Sequence, residues 1–335
     1  MSLSSEMCDT ICQEIHSCCE LNNHLIQVLA ALNTNQRHKI KEKYMELYGE
    51  DPFLGFQNSI HRNDPLISSS TNSNSNTSSS SMAALGLAML LKNPHQRDAD
   101  VAREALEENE VNYRALMEIF TCRKSSHVAL IRQAYLTKFR RHLDNDISSI
   151  EPPHPCQKIL MALSASHKAH NADISQHIAK CDARRLYQTG EGRTGVTVDE
   201  AVVLEILSKR SIPQLKLTFS SYKHIYGHSY AKYLKFGKCG ELEEAVEAVV
   251  KYICSPTKYF SQVLYECLKG TTRDKGALMR IMASRAEVDM EDIQVAFNKK
   301  YGVHLKNAIC QSIPQGDYRD FLVTLTTNTS TPTSL

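Results

Sequence analysis

The apolar residues of this chain recur in four similar blocks. Each block opens with a short apolar box, and the first of two aromatic residues follows 19 residues after the box begins. The boxes begin at Leu25, Leu116, Val203 and Leu278, and the aromatic pairs are Tyr44/Tyr48, Tyr135/Phe139, Tyr222/Tyr226 and Phe297/Tyr301. A spacing that recurs in this way predicts internal structural repeats.

The apolar spacing inside the blocks is helical. Ile293, Phe297 and Tyr301 recur every four residues, on one face of a helix. Residues 95–110 predict another amphipathic helix, with Pro94 upstream as a start signal. We therefore expect an all-α protein of about five short helices per repeat, whose boxes and aromatic pairs form the core.

Two further signals mark where segments end. Gly49, Gly227 and Gly302 follow the second aromatic residue in three blocks, which favours a helix end there. The only strand-like run, residues 194–207, becomes helical from Asp199 onward. Strand signals are weak elsewhere, which agrees with an all-helical fold.

The predicted repeat boundaries follow from the apolar runs that close each block. We expect repeats at 5–92, 93–168, 169–253 and 254–328, and a disordered tail at 329–335. The first block is longer than the others because of a Ser/Asn-rich insertion at residues 68–81. Such a composition buries too little apolar surface to offset its ordering entropy, so it predicts a disordered loop within repeat one.

The amino-acid composition and charge of the chain argue against some classes of function. The 335 residues are 42% hydrophobic and carry a net charge of +2, which argues against a dedicated nucleic-acid binder. No stretch reaches the ~18 consecutive apolar residues of a membrane span. The N-terminal residues lack a secretory pattern, and eleven irregularly spaced cysteines indicate reduced thiols, so we expect a cytoplasmic protein.

A group of thiols near the N-terminus raises the question of a zinc site. Cys8, Cys12, Cys18 and Cys19 lie near His16 and His24 in the sequence. Zinc fingers pair two close ligands with a second pair after a defined gap, and that spacing is absent here. We interpret these cysteines as thiols on or under a helix.

The chain resembles the annexins, and among them the plant annexins. The resemblance rests on four repeats in register and covers roughly residues 5–328; its clearest segments are 92–106, 281–293, 43–52 and 316–325. It implies an all-α fold in which four repeats of five helices form a compact curved disc. It also implies reversible, calcium-dependent binding to anionic phospholipid membranes.

The resemblance further implies where calcium would bind. In annexins a Gly-x-Gly-Thr loop between the first two helices of a repeat binds the ion through backbone carbonyls. An Asp or Glu about 40 residues later completes the shell of six to eight oxygens that Ca²⁺ prefers. In repeat four the ligands would be the carbonyls of Leu268, Gly270 and Thr272.

This sequence departs from that pattern in every repeat. In repeat four Thr272 and Arg273 replace the second glycine and the threonine, and Ser312 or Ile313 occupies the acidic position. Repeats one to three likewise lack one half of the site or both. Their loops are Ser17–Glu20, Glu108–Val111 and Gly195–Val198. The acidic position holds Ile60 or His61 in repeat one, Glu151 in repeat two and Lys238 in repeat three. We therefore predict calcium sites that are weak or absent.

Basic residues offer a second way to reach a membrane. Lys269, Arg273 and Lys275 surround the fourth loop, and Arg123 and Lys124 lie in a turn of repeat two. Each cation near an anionic leaflet contributes about 1 kcal/mol. Such binding would be weak and sensitive to salt, and ordinary solvated side chains are the alternative interpretation.

Three function classes remain, of which a peripheral phospholipid-binding protein is the first. The alternative is a calcium-independent scaffold for cytoskeletal or other protein partners, built on the same helices. An enzyme has the least support: residues 190–195 match Gly-x-Gly-x-x-Gly, but a predicted helix precedes them where a dinucleotide fingerprint needs a strand. We expect neither catalysis nor nucleic-acid binding.

Overall fold

The computed structural model describes residues 4–17, 23–50, 75–108, 110–164, 174–192, 198–236, 240–270 and 274–327. These ranges contain 19 α-helices and no β-strand, which confirms the predicted all-α fold. The predicted disordered tail at 329–335 lies outside the described residues.

The helices follow one another in four groups. The first group is α1 (Ser5–Ser17), α2 (Asn23–Ala31), α3 (Thr34–Tyr48) and α4 (Ser75–Leu91). The second is α5 (Pro94–Glu107), α6 (Tyr113–Cys122), α7 (Ser125–Phe139), α8 (Leu143–Ser148) and α9 (Pro155–Ser164). The third is α10 (Gln176–Gln188), α11 (Glu200–Lys209), α12 (Ile212–Tyr226), α13 (Tyr230–Phe236) and α14 (Glu241–Cys254). The fourth is α15 (Pro256–Lys269), α16 (Lys275–Arg285), α17 (Met290–Tyr301), α18 (Leu305–Ser312) and α19 (Asp317–Thr327).

One part of the Ser/Asn-rich insertion is ordered, against the prediction. Residues 75–81 form the first turns of α4, whereas residues 68–74 lie outside the described residues. The later part of α4 carries Ala83, Leu87 and Leu90, which are buried. Because helix growth adds one hydrogen bond per residue once a nucleus exists, this packed segment extends the helix into residues of low helix propensity.

The chain forms two compact units, one of residues 1–93 with 260–335 and the other of residues 94–259. Each unit has its own core, and the predicted boxes and first aromatic residues lie in it. These residues are at most 5% exposed: Leu25, Leu116, Val203 and Leu278 of the boxes, and Tyr44, Tyr135, Tyr222 and Phe297 of the aromatic pairs.

The second aromatic residue of each pair lies on the third helix of its repeat and contacts a side chain of the first helix. His16 stacks on Tyr48 with ring centroids 3.8 Å apart, and Tyr265 stacks on Tyr301 at the same distance. Tyr187 and Tyr226 stack at 3.9 Å, and in repeat two the guanidinium of Arg103 lies 5.8 Å from the Phe139 ring. The contact between the first and third helices therefore recurs in all four repeats, three times as a stack of two rings and once as a guanidinium beside a ring.

The third helix of every repeat ends in the left-handed backbone conformation. Gly49, Gly227 and Gly302 have φ values of 75°, 80° and 69°, as their position after the aromatic pairs predicted. In repeat two Arg140 occupies this position with φ 57°. Its N–H donates to the Leu136 carbonyl, so the helix ends there in the same way despite the side chain.

Two of the four N-terminal cysteines lie on the buried side of α1. Cys8 and Cys12 are buried on α1, while Cys18 and Cys19 lie outside the described residues. In the part of the chain that the structure describes, no three His, Cys, Asp or Glu side chains come together as metal ligands. None of the helices in the described ranges combines the length and apolarity that crossing a bilayer requires.

Candidate functional site

The segment between α15 and α16 carries the residues that the sequence singled out in repeat four. Helix α15 ends at Lys269, and the N–H of Gly270 donates to the Glu266 carbonyl at 2.8 Å. A Cβ atom at Gly270 would collide with that carbonyl, so the position requires glycine because of a close approach. Its φ is not positive, so the need for glycine comes from this contact and not from a left-handed backbone.

The far end of this segment is fixed by a helix cap. The side chain of Asp274 accepts a hydrogen bond at 2.8 Å from the N–H of Ala277, in the first turn of α16. Asn112 and Asp199 cap α6 and α11 in the same way. An Asp or Asn directly before the second helix therefore initiates that helix in repeats two, three and four. Thr272 and Arg273 lie outside the described residues.

The last turn of α18 and the first turn of α19 contact the two ends of this segment. The ammonium of Lys269 donates to Oε1 of Gln311 at 3.4 Å. At the other end the hydroxyl of Tyr318 donates to the carbonyl of Lys275 at 3.3 Å. Tyr318 is buried, which raises the pKa of its phenol and keeps it a donor at neutral pH. The packing thus brings together two segments about 40 residues apart, as the resemblance implied.

Beside the end of α15 the junction pairs the ammonium of Lys269 with the amide of Gln311. Gln311, Ser312 and Ile313 end α18, so no carboxylate stands at the position that would complete a calcium shell. Asp317 begins α19. Lys269 and Lys275 are exposed, whereas the side chain of Leu268 is buried.

In repeats two and three, acidic residues near the corresponding segments are bonded to side chains of their own repeat. In repeat two Nδ2 of Asn112 donates to both carboxylate oxygens of Glu108, at 3.3 and 3.4 Å. In repeat three the carboxylate of Glu191 accepts from the Tyr222 hydroxyl at 2.6 Å and pairs with His228 at 3.0 Å. Most loop positions of repeats one and three, with Ile60, His61 and Lys238, lie outside the described residues.

One predicted basic residue is engaged inside its own repeat. The guanidinium of Arg123 donates to both oxygens of the buried Asp98 carboxylate, at 2.6 and 3.1 Å. Burial acts to raise the pKa of Asp98, but Arg123, His127 and Arg97 outweigh it and hold that pKa well below its usual range. Arg123 is therefore a structural partner, while Lys124 is exposed.

Sequence reasoning missed the contacts of Gln311, Tyr318 and Asp98. The sequence did carry a signal for Asp98, because an Asp and an Arg recur at the corresponding places of repeat three. There Arg210 pairs with the buried Asp182 at 2.7 Å. No comparable signal marked Gln311, whose role depends on how α18 packs beside the end of α15.

Known proteins share both the sequence and the fold. A family model described as Annexin matches residues 97–150, 181–249 and 259–325, which together make up more than half of the chain. Mouse annexin A1 is 33% identical over 303 residues, an alignment that covers 90% of this chain and 80% of the relative.

The chain belongs to the annexin family.

Solved annexin structures agree with this assignment. An annexin III structure matches with a TM-score of 0.79 and 29% identity, covering 97% of this chain and 94% of that one. A structure of calcium-bound annexin (Sm)1 matches with a TM-score of 0.75 over 98% of this chain and 92% of that one. At 21% identity the latter shows a shared fold alone. Annexins as a family are known for calcium-dependent binding to anionic phospholipid membranes.

Proposed function

We propose that this annexin attaches peripherally to anionic phospholipid surfaces and that basic side chains of repeat four contribute more to this attachment than calcium does. The observation that carries the proposal is the hydrogen bond from Lys269 to Gln311. It joins the two segments that would share a calcium ion, and it pairs an ammonium with an amide there.

The physical reason is the charge that each ligand contributes. Calcium affinity falls with the number of charged oxygens in the shell, and the carbonyls of Leu268, Gly270 and Thr272 carry none. We therefore propose at most weak calcium binding there. Lys269 and Lys275 bring positive charge to the same surface without an ion, and Arg273 belongs to the same loop by sequence. Two or three such cations support weak binding that salt screens.

The alternative proposal is a calcium-independent scaffold for protein partners, cytoskeletal ones among them. It needs the same helices and no ion site. We propose no catalytic role: α10 precedes residues 190–195, and in that run Glu191 is engaged with Tyr222 and His228. A dinucleotide fingerprint needs a strand there.

The first experiment is co-sedimentation of the full chain with phosphatidylserine-rich vesicles. It is run across a calcium titration and in chelator, at low and at moderate salt. The proposal expects binding in chelator that weakens with salt and gains little from calcium. Binding only at micromolar calcium would overturn it in favour of a working carbonyl site. Absence of binding under every condition would favour the scaffold.

A further inference from the structure

The start of the second helix contacts the start of the fifth helix in repeats two, three and four, each time through different chemistry. In repeat four the contact is the hydrogen bond of the Tyr318 hydroxyl described above. In repeat three the carboxylate of Glu243 accepts from the N–H of Val198 at 3.3 Å. In repeat two the ring of His154 stacks on that of Tyr113, with centroids 4.4 Å apart and 18° between the planes. Of these three contacts, the one in repeat two contains a histidine, a residue type that changes charge between pH 5 and 8.

A hydrogen bond of His154 shows which protonation state its ring has in this structure. Its Nδ1 accepts from the backbone N–H of Cys156 at 3.1 Å. A backbone N–H can only donate, so Nδ1 carries no proton and the neutral ring holds its proton on Nε2. An imidazolium has two donors and no acceptor. Protonation of His154 and this hydrogen bond therefore exclude each other.

The same hydrogen bond caps the first turn of α9. Pro155 begins the helix and has no N–H to donate. The next two donors both end on His154: the N–H of Cys156 on its ring, and the N–H of Gln157 on its carbonyl at 2.9 Å. The ring that caps α9 is also the ring that stacks on Tyr113, the first residue of α6. One side chain thus holds the starts of two helices.

The side chains in direct contact with His154 are neutral at physiological pH. Burial raises the pKa of the Tyr113 phenol, and burial raises the pKa of the Cys156 thiol to about 12. His154 itself is half-buried, so solvent protons can reach its ring.

Three acids lie on the elements that meet at this junction. Glu151 is exposed on the same connection as His154. Glu241 is exposed at the start of α14, and its charge adds to the effect of burial on the Cys156 thiol. Glu118 of α6 is buried and acts on Tyr252 of α14. The two exposed acids favour the imidazolium form, so they assist protonation of His154.

The cations of the same elements have other partners. Lys158 of α9 pairs with Glu200 of α11 at 2.7 Å. Arg114 of α6 acts on the phenol of Tyr252. The charges that bear on His154 thus act in one direction, toward the protonated ring.

We propose that His154 is a proton-sensitive clasp between α6 and α9. The neutral ring holds the starts of both helices, and protonation releases the N–H of Cys156 and opens the first turn of α9. The clasp is closed at neutral pH and opens as the pH falls from 7.5 to 5.5, within the range where histidine gains its charge. Acid therefore loosens the repeat-two counterpart of the junction at Tyr318 and leaves repeat four unchanged.

The test is hydrogen exchange of the full chain at pH 7.5 and at pH 5.5, corrected for the intrinsic exchange rate and followed by mass spectrometry. In the wild type, protection of the first turn of α9 should fall about tenfold at the lower pH, as expected for the loss of one hydrogen bond. Protection of the first turn of α6 should fall with it. His154→Asn keeps an oxygen that accepts from the Cys156 N–H but does not titrate, so α9 should be equally protected at both pH values. His154→Ala should lose this protection at both.

The matched control is His224→Asn, which removes an exposed histidine from α12 of the same compact unit and should retain the wild-type response. Equal protection of α9 at the two pH values in the wild type would overturn the proposal. So would a wild-type response in His154→Asn, because another group would then be the sensor. If His154→Ala does not fold, the comparison between wild type and His154→Asn still decides. The measurement uses the free protein without vesicles, so its result is independent of the proposed phospholipid binding.

Discussion

The guanidinium of Arg37 donates a hydrogen bond to the carboxylate of Glu287, 250 residues later in the chain. The same carboxylate accepts from the N–H and the hydroxyl of Thr34, both at 2.8 Å. Arg37 is 5% exposed, and burial lowers the pKa of its guanidinium although Glu287 acts to raise it. This pair ties the third helix of the first group to the turn between α16 and α17.

Removal of this carboxylate should cost stability. Glu287→Gln leaves the buried charge of Arg37 without its counter-ion, which we expect to lower the free energy of unfolding by about 3 kcal/mol. Urea unfolding followed by circular dichroism measures the change. Glu291→Gln, an exposed residue of the nearby α17, is the control and should change stability by less than about 0.5 kcal/mol. Equal effects of the two substitutions would mean that the pair does not stabilise the fold.

Replacement of Arg140 by glycine should make the protein more stable. Its φ of 57° disfavours a side chain with a β-carbon, and three repeats have glycine at this position. Arg140→Gly is expected to raise the free energy of unfolding by about 1 kcal/mol, and Gly227→Arg, the reverse change in repeat three, to lower it by a similar amount. Thermal melts compare the two variants. A loss of stability in Arg140→Gly would show that the arginine side chain makes a stabilising contact.

The stability of the chain should fall in acid partly through Asp98. Its folded-state pKa lies below the unfolded value of about 3.9, so its contribution is fully present above that value and is lost as the pH falls through the folded-state pKa. The gap in free energy of unfolding between wild type and Asp98→Asn should therefore be widest above about pH 5 and should narrow toward pH 2. Denaturant titrations at several pH values measure this gap. The control is Asp292→Asn, at an exposed position, whose free energy of unfolding should differ little from that of wild type at every pH. If the difference for Asp98→Asn stayed constant with pH, the pKa of Asp98 would not be linked to stability.

Vesicle binding in chelator should depend on the cations at the fourth loop. Lys269→Gln with Lys275→Gln is expected to weaken binding to phosphatidylserine vesicles roughly tenfold or more, since each cation contributes about 1 kcal/mol. Co-sedimentation at moderate salt provides the measurement. The control is Lys300→Gln with Lys306→Gln, which removes the same charge from the same repeat but away from the loop. Equal losses would show that membrane binding senses overall charge and not the loop surface.

The sequence predicted the helices and the core because those features depend on local periodicity. Residues four apart, such as Ile293 and Phe297, face the same side of a helix whatever surrounds them, and both are buried. Helix ends followed equally local rules, so Gly302 and Asp199 were predictable from their neighbours. The extent of α4 was not, because packing of its later residues outweighs the weak propensity of Ser75 to Ser81.

The sequence by itself determined four helical repeats, their buried boxes and the lack of an acidic residue at the end of α18. Only the tertiary structure decided which side chains meet across those helices. Packing between segments that lie dozens to hundreds of residues apart joins three such pairs: Lys269 with Gln311, Arg37 with Glu287, and Lys300 with Gln262. The physical reason is that periodicity fixes the face a residue occupies, whereas its partner depends on how separate helices dock, which no local pattern encodes.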